Sequence, residues 1–317
     1  MGAIHTKCRS NARLDGKTAV VTGSNSGIGK CTAEDFYKRG ARVIMACRSL
    51  TKAKEAAEDI RRNSANLHDL GEIVIVELNL ASMKSIRNCA NKLLDEEKEI
   101  NLLINNAGVM FSPLSRTEDG FETQFGTNHL GHFLLTLLLL PKLVACRPAR
   151  VVNVSSVGHK LLTGSMKFDD LNWTHRSYSA YQAYYQSKVA NILFAKELAI
   201  KLNDAGVEGV TTYSLHPGVI DTELFRHFDR TIFYGVTWIV NNIGKYFIKS
   251  PKQGAQTTIH CAIDEDAGKE TGLYYADCKP ATSSSKSNNN EYARKLWDVS
   301  LEMVGFPANY DPFVNKE

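Results

Sequence analysis

The chain is predicted to be an α/β protein: a doubly wound parallel sheet of about seven strands with helices on both faces, in a single domain. Three observations predict it. Short β-branched apolar runs alternate with helical stretches along most of the length. The first run leads into a glycine turn that opens a helix, and the fourth ends on Asn-Asn-Ala-Gly at residues 105–108. Strand–helix alternation implies parallel βαβ units with right-handed crossovers.

The elements follow in order. Thr18–Thr22 is a strand, Gly23–Gly29 the turn, and Lys30–Arg39 a helix stopped by Gly40. Arg42–Cys47 is the second strand, before an Ala/Glu/Lys-rich helix at 50–62. Ile73–Leu78 and helix 83–98 come next, then Leu102–Ile104, helix 120–143 and strand Arg150–Val154. Helix 181–203 precedes strand Gly209–Leu215, a last strand lies near Leu273–Tyr275, and 291–305 is a final amphipathic helix. No repeat or linker divides the chain, so 16–317 reads as one catalytic domain behind a basic tail at 1–15.

At 317 residues and a net charge of +4, the chain holds a sizeable core and lacks a basic run dense enough for nucleic acid. Its seven cysteines are scattered and show no C-x-x-C spacing, which points to reduced intracellular thiols and no metal site. No stretch reaches the ~18–20 apolar residues of a membrane span. Met1–Thr6 fits a myristoylation pattern, and Cys8 is a candidate for a second acyl chain. The expected location is therefore the cytoplasm or a cytosolic membrane face, with peripheral attachment. A plain disordered tail is the alternative.

The glycine turn is the cofactor site. Gly23, Ser24, Asn25, Ser26, Gly27, Ile28 and Gly29 follow a strand and open a helix with G-x-x-x-G-x-G spacing, a Rossmann-type arrangement. Glycines permit close backbone approach, and the helix N-terminus offers free N–H groups to a pyrophosphate. An NAD site usually places Asp or Glu at the end of the second strand. Here Ala46-Cys47-Arg48 carries no acid, and Arg48 is placed for a 2′-phosphate, with Lys30 nearby in sequence. The expected cofactor is NADP(H). Asn106, Ala107 and Gly108 sit where ligands of open α/β sheets bind. Pro217 and Gly218 make a turn after a strand, and Thr222 is placed for the nicotinamide carboxamide.

Tyr184 and Lys188 share one helix face, four residues apart. A neighbouring ammonium is expected to draw the phenol below its usual value near ~10. Tyr181 and Tyr185 have no lysine at that spacing. Ser156 ends a strand with a hydroxyl able to bond a carbonyl oxygen, and no Gly-x-Ser-x-Gly elbow marks it as a nucleophile. Asn128 lies inside a helix, where its propensity is poor, so it needs a reason: a bond to a backbone carbonyl and to water leading to Lys188. His129 and His132 read as packed or capping residues.

Taken together, Thr22-Gly23-x-x-x-Gly27-x-Gly29, Asn105–Gly108, Asn128, Ser156, Tyr184-x-x-x-Lys188 and Pro217-Gly218 resemble the classical short-chain dehydrogenase/reductase family. Ala46–Arg48, Asp119–Thr123, Asn128–Phe133, Ser187–Leu193, His216–Val219 and Gly254–Thr257 resemble its retinol dehydrogenase branch. The resemblance implies Asn128, Ser156, Tyr184 and Lys188 as a catalytic tetrad. It also implies cofactor contacts from Asn79, Leu80, Val219, Tyr184 and Lys188. Many members form homo-oligomers. Asn79 departs from the family, standing where many relatives carry Asp.

The implied reaction interconverts a hydrophobic aldehyde and alcohol, with retinal and retinol the leading pair. Reduction of steroid or lipid-derived carbonyls is an alternative, and an NADP-binding scaffold without turnover is another. Phe168, Trp173, Tyr178 and Tyr181, and the aromatic residues from Phe225 to Phe247, are expected to form apolar lids near 158–181 and 219–250. Within the second, the stretch 231–248 can also dip into a membrane surface.

Overall fold

In the computed structural model the described residues are 7–218, 249–307 and 310–313. All seven predicted strands form, with small shifts at their ends. They are β1 (Thr18–Thr22), β2 (Arg42–Cys47), β3 (Glu72–Glu77), β4 (Leu102–Asn105), β5 (Ala149–Val154), β6 (Val210–His216) and β7 (Leu273–Ala276). An eighth strand, β8 (Lys279–Pro280), lies beyond the sequence reading and pairs antiparallel with β7 at the sheet edge. An edge tolerates Pro280, which has no N–H to give to a ladder. The sheet order is β3-β2-β1-β4-β5-β6-β7-β8, and the first seven strands run parallel. The order reverses between β1 and β4, which makes a crevice at their carboxyl ends.

The helices are α1 (Gly27–Lys38), α2 (Leu50–Asn63), α3 (Met83–Glu96), α4 (Thr123–Phe125), α5 (Gly131–Ala145), α6 (Ala180–Asp204), α7 (Pro251–Ile263) and α8 (Asn290–Met303). Their starts are locally encoded. Ser49, Ser82, Ser179 and Asn289 each accept a first-turn N–H on the side chain, opening α2, α3, α6 and α8. The sequence reading assigns no helix at α7, yet Ser250 and Gln253 form a capping box with Pro251 in the first turn.

Two cores fill the two faces. Val20 of β1 joins α3, α5, α6 and α8 on one side, while Ala19 and Val21 join α1, α2 and α7 on the other. That alternation is the period-2 signature of a strand covered on both faces. The helical stretch Thr123–Ala145 is long and apolar enough to cross a bilayer, but 72% of its most apolar stretch is buried inside the domain. Its place here is the core, against α3 and β4.

The residues before β1 are held in place. Cys8 and Leu14 are buried with the α1–α2–α7 core. The Cys8 N–H donates to Gln256 Oε1 at 3.1 Å, and Arg39 Nη1 donates to the Ala12 carbonyl at 2.8 Å. The Cys8 thiol, weighed above as an acylation site, therefore sits inside the fold. Gly2 lies outside the described residues.

Gly131 shows how tightly the helices approach the crevice. A Cβ there would lie 2.6 Å from the Leu80 carbonyl oxygen. Gly→Ala in a helix ordinarily stabilises by about 1 kcal/mol. Here the clash is with backbone, so Gly131→Ala is predicted to lower stability by ~1–3 kcal/mol, the range for overpacking. Urea denaturation checks the sign, and a stabilised variant would contradict this packing.

Candidate active site

The crevice begins with two turns pressed together. At Gly23, φ is +64°, and a Cβ would sit 2.8 Å from Ala107 Cβ. At Gly29 a Cβ would sit 2.5 Å from Asn106 Nδ2 and 2.6 Å from the Gly23 carbonyl. Glycine is thus required by close approach of backbone to backbone. The N-cap of α1 is Ser26, whose side chain caps no first-turn N–H. These donors, with the positive end of the helix dipole, remain for an anion. A dinucleotide pyrophosphate fits this cradle.

Thr22 ties the turns together. Its Oγ1 accepts the N–H groups of Asn106 at 2.9 Å and Ala107 at 3.0 Å. The same oxygen lies 2.8 Å from His132 Nε2, and His132 Nδ1 lies 3.0 Å from the Asn128 carbonyl. A carbonyl only accepts, so Nδ1 carries the hydrogen and Nε2 accepts from the Thr22 hydroxyl. Burial holds this ring neutral, with its pKa pulled down to about 4. His129 is also buried, pulled down to about 3, with Nε2 at 2.9 Å from Ser300 Oγ. Asn105 faces the sheet, donating to Asn153 Oδ1 and Thr136 Oγ1, both at 2.9 Å.

Asn128 lies in a π-helical turn, Gly126–Leu130, between α4 and α5. Such turns recur at functional sites. Its Oδ1 accepts the Val109 N–H at 2.8 Å, and its Nδ2 donates to the Val109 carbonyl at 2.9 Å and Ser187 Oγ at 3.0 Å. The backbone-carbonyl bond expected from sequence is present. The side chain is fully buried and holds the loop after β4 from behind.

Tyr184 and Lys188 project from α6 toward the ends of β4 and β5. Lys188 Nζ donates to the Val154 carbonyl at 3.1 Å and lies 5.5 Å from the Tyr184 ring centre. Ser155 Oγ donates to the Lys188 carbonyl at 2.7 Å, pinning α6 to the end of β5. Ser156 caps a 3₁₀ turn, Val157–Leu161, accepting the Gly158 N–H at 3.1 Å. A Cβ at Gly158 would sit 2.8 Å from the Tyr185 ring, so this glycine admits the tyrosines.

The electrostatics correct one expectation. Burial pushes the Tyr184 phenol up to about 12, with the Ser156 side chain acting against it. Burial draws Lys188 down to about 8. Within the chain alone, desolvation outweighs the acidifying effect assigned to the lysine.

A cavity of about 440 Å³ joins the glycine cradle to this pair. Gly23, Asn25, Ser26, Gly27, Ile28, Gly29, Arg48, Asn79, Leu80, Asn106, Ala107, Gly108, Ser156, Tyr184, Lys188, Pro217 and Gly218 line it. Two predicted residues stand behind the wall: Asn128, and Ser24, which is buried and donates to the Val21 carbonyl at 3.0 Å. Val219 and Thr222 lie outside the described residues. Lys30 turns away from the expected phosphate, pairing with Asp59 of α2 at 2.8 Å. Asn79 is engaged at both ends of its amide, by the Ala81 N–H and Glu118. Sequence reasoning missed Lys52, which lines the cavity with Arg48 from the first turn of α2.

Near Tyr184 the rim is aromatic. Phe111, at φ +53°, packs 4.7 Å from Tyr181 and 5.2 Å from Tyr184. Its N–H donates to Gln124 Oε1 at 2.7 Å. Leu114, Val157 and Leu161 are exposed in the adjoining segments. Of the aromatics predicted for the first lid, Tyr181 reaches this rim. Phe168 packs on Tyr292 and Trp173 on Tyr178, both as structural contacts. The aromatics from Phe225 to Phe247 lie outside the described residues.

Lys188 provides a test of this burial. A lysine held at about 8, below its ordinary 10.5, binds fewer protons folded than unfolded between those values. Stability therefore rises with pH across that window, and the cost is full below pH 8. Lys188→Met is predicted to be more stable than the parent at pH 7 by up to ~3 kcal/mol, with the gain fading toward pH 10.5. Denaturation curves at several pH values check it; a variant weaker at every pH would contradict the buried cost.

Comparison with known proteins agrees with the fold. The family model for short chain dehydrogenases matches residues 17–168. Retinol dehydrogenase 12 of Homo sapiens is 47% identical over 298 residues, covering 94% of this chain and 89% of that protein. A crystal structure of an uncharacterised protein from Mycobacterium paratuberculosis superposes with a TM-score of 0.73 at 33% identity, covering 95% of this chain and 97% of the other. A gluconate 5-dehydrogenase structure from Beutenbergia cavernae, with bound NADP, shares the fold at a TM-score of 0.64 and 24% identity, covering 84% of this chain and 96% of the other. With its doubly wound sheet, its glycine cradle and its tyrosine–lysine helix, the chain belongs to the short-chain dehydrogenase family and is an oxidoreductase of the retinol dehydrogenase-like branch.

Proposed function

We propose that the protein interconverts a hydrophobic aldehyde and its alcohol with NADP(H), and that retinal and retinol are the physiological pair. One observation carries the reading: a single cavity joins the dinucleotide cradle to Ser156, Tyr184 and Lys188. The exposed Val157 lining the cavity and the aromatic rim of Phe111 and Tyr181 favour an apolar substrate, and the retinol dehydrogenase relatives favour a retinoid. Such a substrate partitions into bilayers, which favours a position at a cytosolic membrane face.

The cofactor, when bound, supplies or accepts the hydride. The α1 N-terminus and Gly23–Gly29 would hold its pyrophosphate, and Arg48 with Lys52 its 2′-phosphate. Ser156 and Tyr184 hold the substrate oxygen by their hydroxyls. Tyr184 gives its proton to that oxygen in reduction and takes it back in oxidation. Lys188 holds positive charge beside the tyrosine and would bond the nicotinamide ribose. Asn128 keeps the Val109 backbone and Ser187 in register, and is the member of the tetrad through which water would reach Lys188.

Two measurements test this. NADPH consumption with all-trans-retinal is predicted to exceed that with a ketone or a short aldehyde, and Tyr184→Phe to lose ~10²–10⁴-fold in turnover while still binding NADPH. A Tyr184→Phe enzyme of near-normal rate would overturn the acid assignment, and a preference for ketones would move the substrate to steroid-like carbonyls. Arg48→Glu is predicted to worsen NADPH relative to NADH by about 10–100-fold in kcat/KM, as loss of charge-assisted bonds implies. An unchanged ratio would remove the 2′-phosphate role.

A further inference from the structure

The face remote from the crevice carries a second chemical cluster. The Cys8 sulfur, a ring nitrogen of His260 and a carboxylate oxygen of Asp264 all lie within 4.8 Å of one another. Cys8 comes from the segment before β1, and the other two from the C-terminal end of α7. We propose that these three residues bind a transition-metal ion of the zinc class, which fastens the N-terminal segment to α7.

The donor set selects the metal. Thiolate, imidazole and carboxylate together suit zinc or cobalt(II) and not the oxygen-seeking magnesium or calcium. Zinc bonds of about 2.0–2.3 Å in a tetrahedron set ligand atoms roughly 3.3–3.8 Å apart. His260 Nδ1 and Asp264 Oδ2 already stand at 3.3 Å. The thiol therefore needs to close by about an ångström at most.

The surroundings hold the ligands in place. Asp264 Oδ1 accepts the N–H groups of Asp266 and Ala267, both at 3.1 Å, which leaves Oδ2 turned toward His260. Gln256 holds the Cys8 backbone, and Ser10 donates to Glu265 at 3.1 Å, so the segment is tied on both sides of the thiol. Arg150 Nη1 donates to the carbonyls of Cys261 and Asp264 at 3.1 and 2.8 Å, fixing the helix end. Outer partners of this kind orient metal ligands. The negative end of the α7 dipole adds attraction for a cation. Cys8 is buried, while the His260 and Asp264 side chains are 15% and 16% exposed. Solvent thus reaches one side, where water completes the coordination. Cys8 binds as thiolate, and its proton passes to solvent.

Cobalt(II) is the probe. The full chain, stripped with chelator, is titrated with Co²⁺ and followed by absorption, with circular dichroism confirming that each variant is folded. The expected result is one equivalent bound with a thiolate-to-cobalt charge-transfer band, bleached by Zn²⁺ and lost in Cys8→Ser. His260→Gln and Asp264→Asn should weaken binding by at least the ~10–100-fold that loss of an outer partner costs. Zn²⁺ should raise the melting temperature of the parent and not of His260→Gln, which serves as the second test if Cys8→Ser folds poorly. A parent without the band, or a band that survives Cys8→Ser, overturns the site. Neither readout depends on dehydrogenase activity.

Discussion

The Thr22 hydroxyl oxygen is the joint on which the crevice turns. It sits where the strand order reverses, and it accepts two N–H groups from the turn after β4 while giving its own hydrogen to His132. His132 in turn grips the Asn128 carbonyl within the π-helical turn. A buried polar network of this kind is rigid only when every member is satisfied. Here β1, the loop after β4 and the start of α5 share one set of bonds. The same joint brings Gly23 and Ala107 so close that a Cβ on the glycine is excluded. The cofactor cradle and the mount for Asn128 are therefore one structure, with no independent freedom between them.

How much of this was legible in the sequence depends on the range of the interactions. Most strands were legible because burial on both faces makes them short apolar runs, as in β1 and β4. Most helices were legible from their spacing, and the serine and asparagine caps at their starts carried the same information unread. Helix α7 escaped because its Gly and Thr content is a poor helix signal, although the Ser250-Pro-x-Gln253 start carried the information. The eighth strand is too short to show any alternation. The glycine cradle, Arg48 and the tyrosine–lysine pair, which line one cavity, could be grouped from local spacing. Lys30 could not, since Asp59, its partner across α2, is brought close only by the fold.

Two features of the site belong to tertiary structure alone. The π-helical turn is invisible to helical periodicity, because one extra residue in a turn is decided by what the freed groups meet. Asn128 meets both backbone groups of Val109, and His132 takes the Asn128 carbonyl. The sign of the Tyr184 shift is the second. From spacing, only the neighbouring ammonium can be seen, and it argues for acidity. The folded chain adds Phe111 and Tyr185 around the ring and removes water, and this desolvation dominates.

The two shifts together have a chemical consequence. Tyr184 rises to about 12 and Lys188 falls to about 8 from the same cause, so at neutral pH the phenol keeps its proton and the lysine remains mostly charged. A phenol raised this far is a weaker acid than a free one, so burial alone does not tune the pair for proton transfer. Acidity suited to neutral pH has to come from positive charge added beside the ring. Burial of Lys188 costs stability, yet it keeps an ammonium 5.5 Å from the Tyr184 ring centre where water cannot screen it. That is the usual exchange of stability for function at an active site.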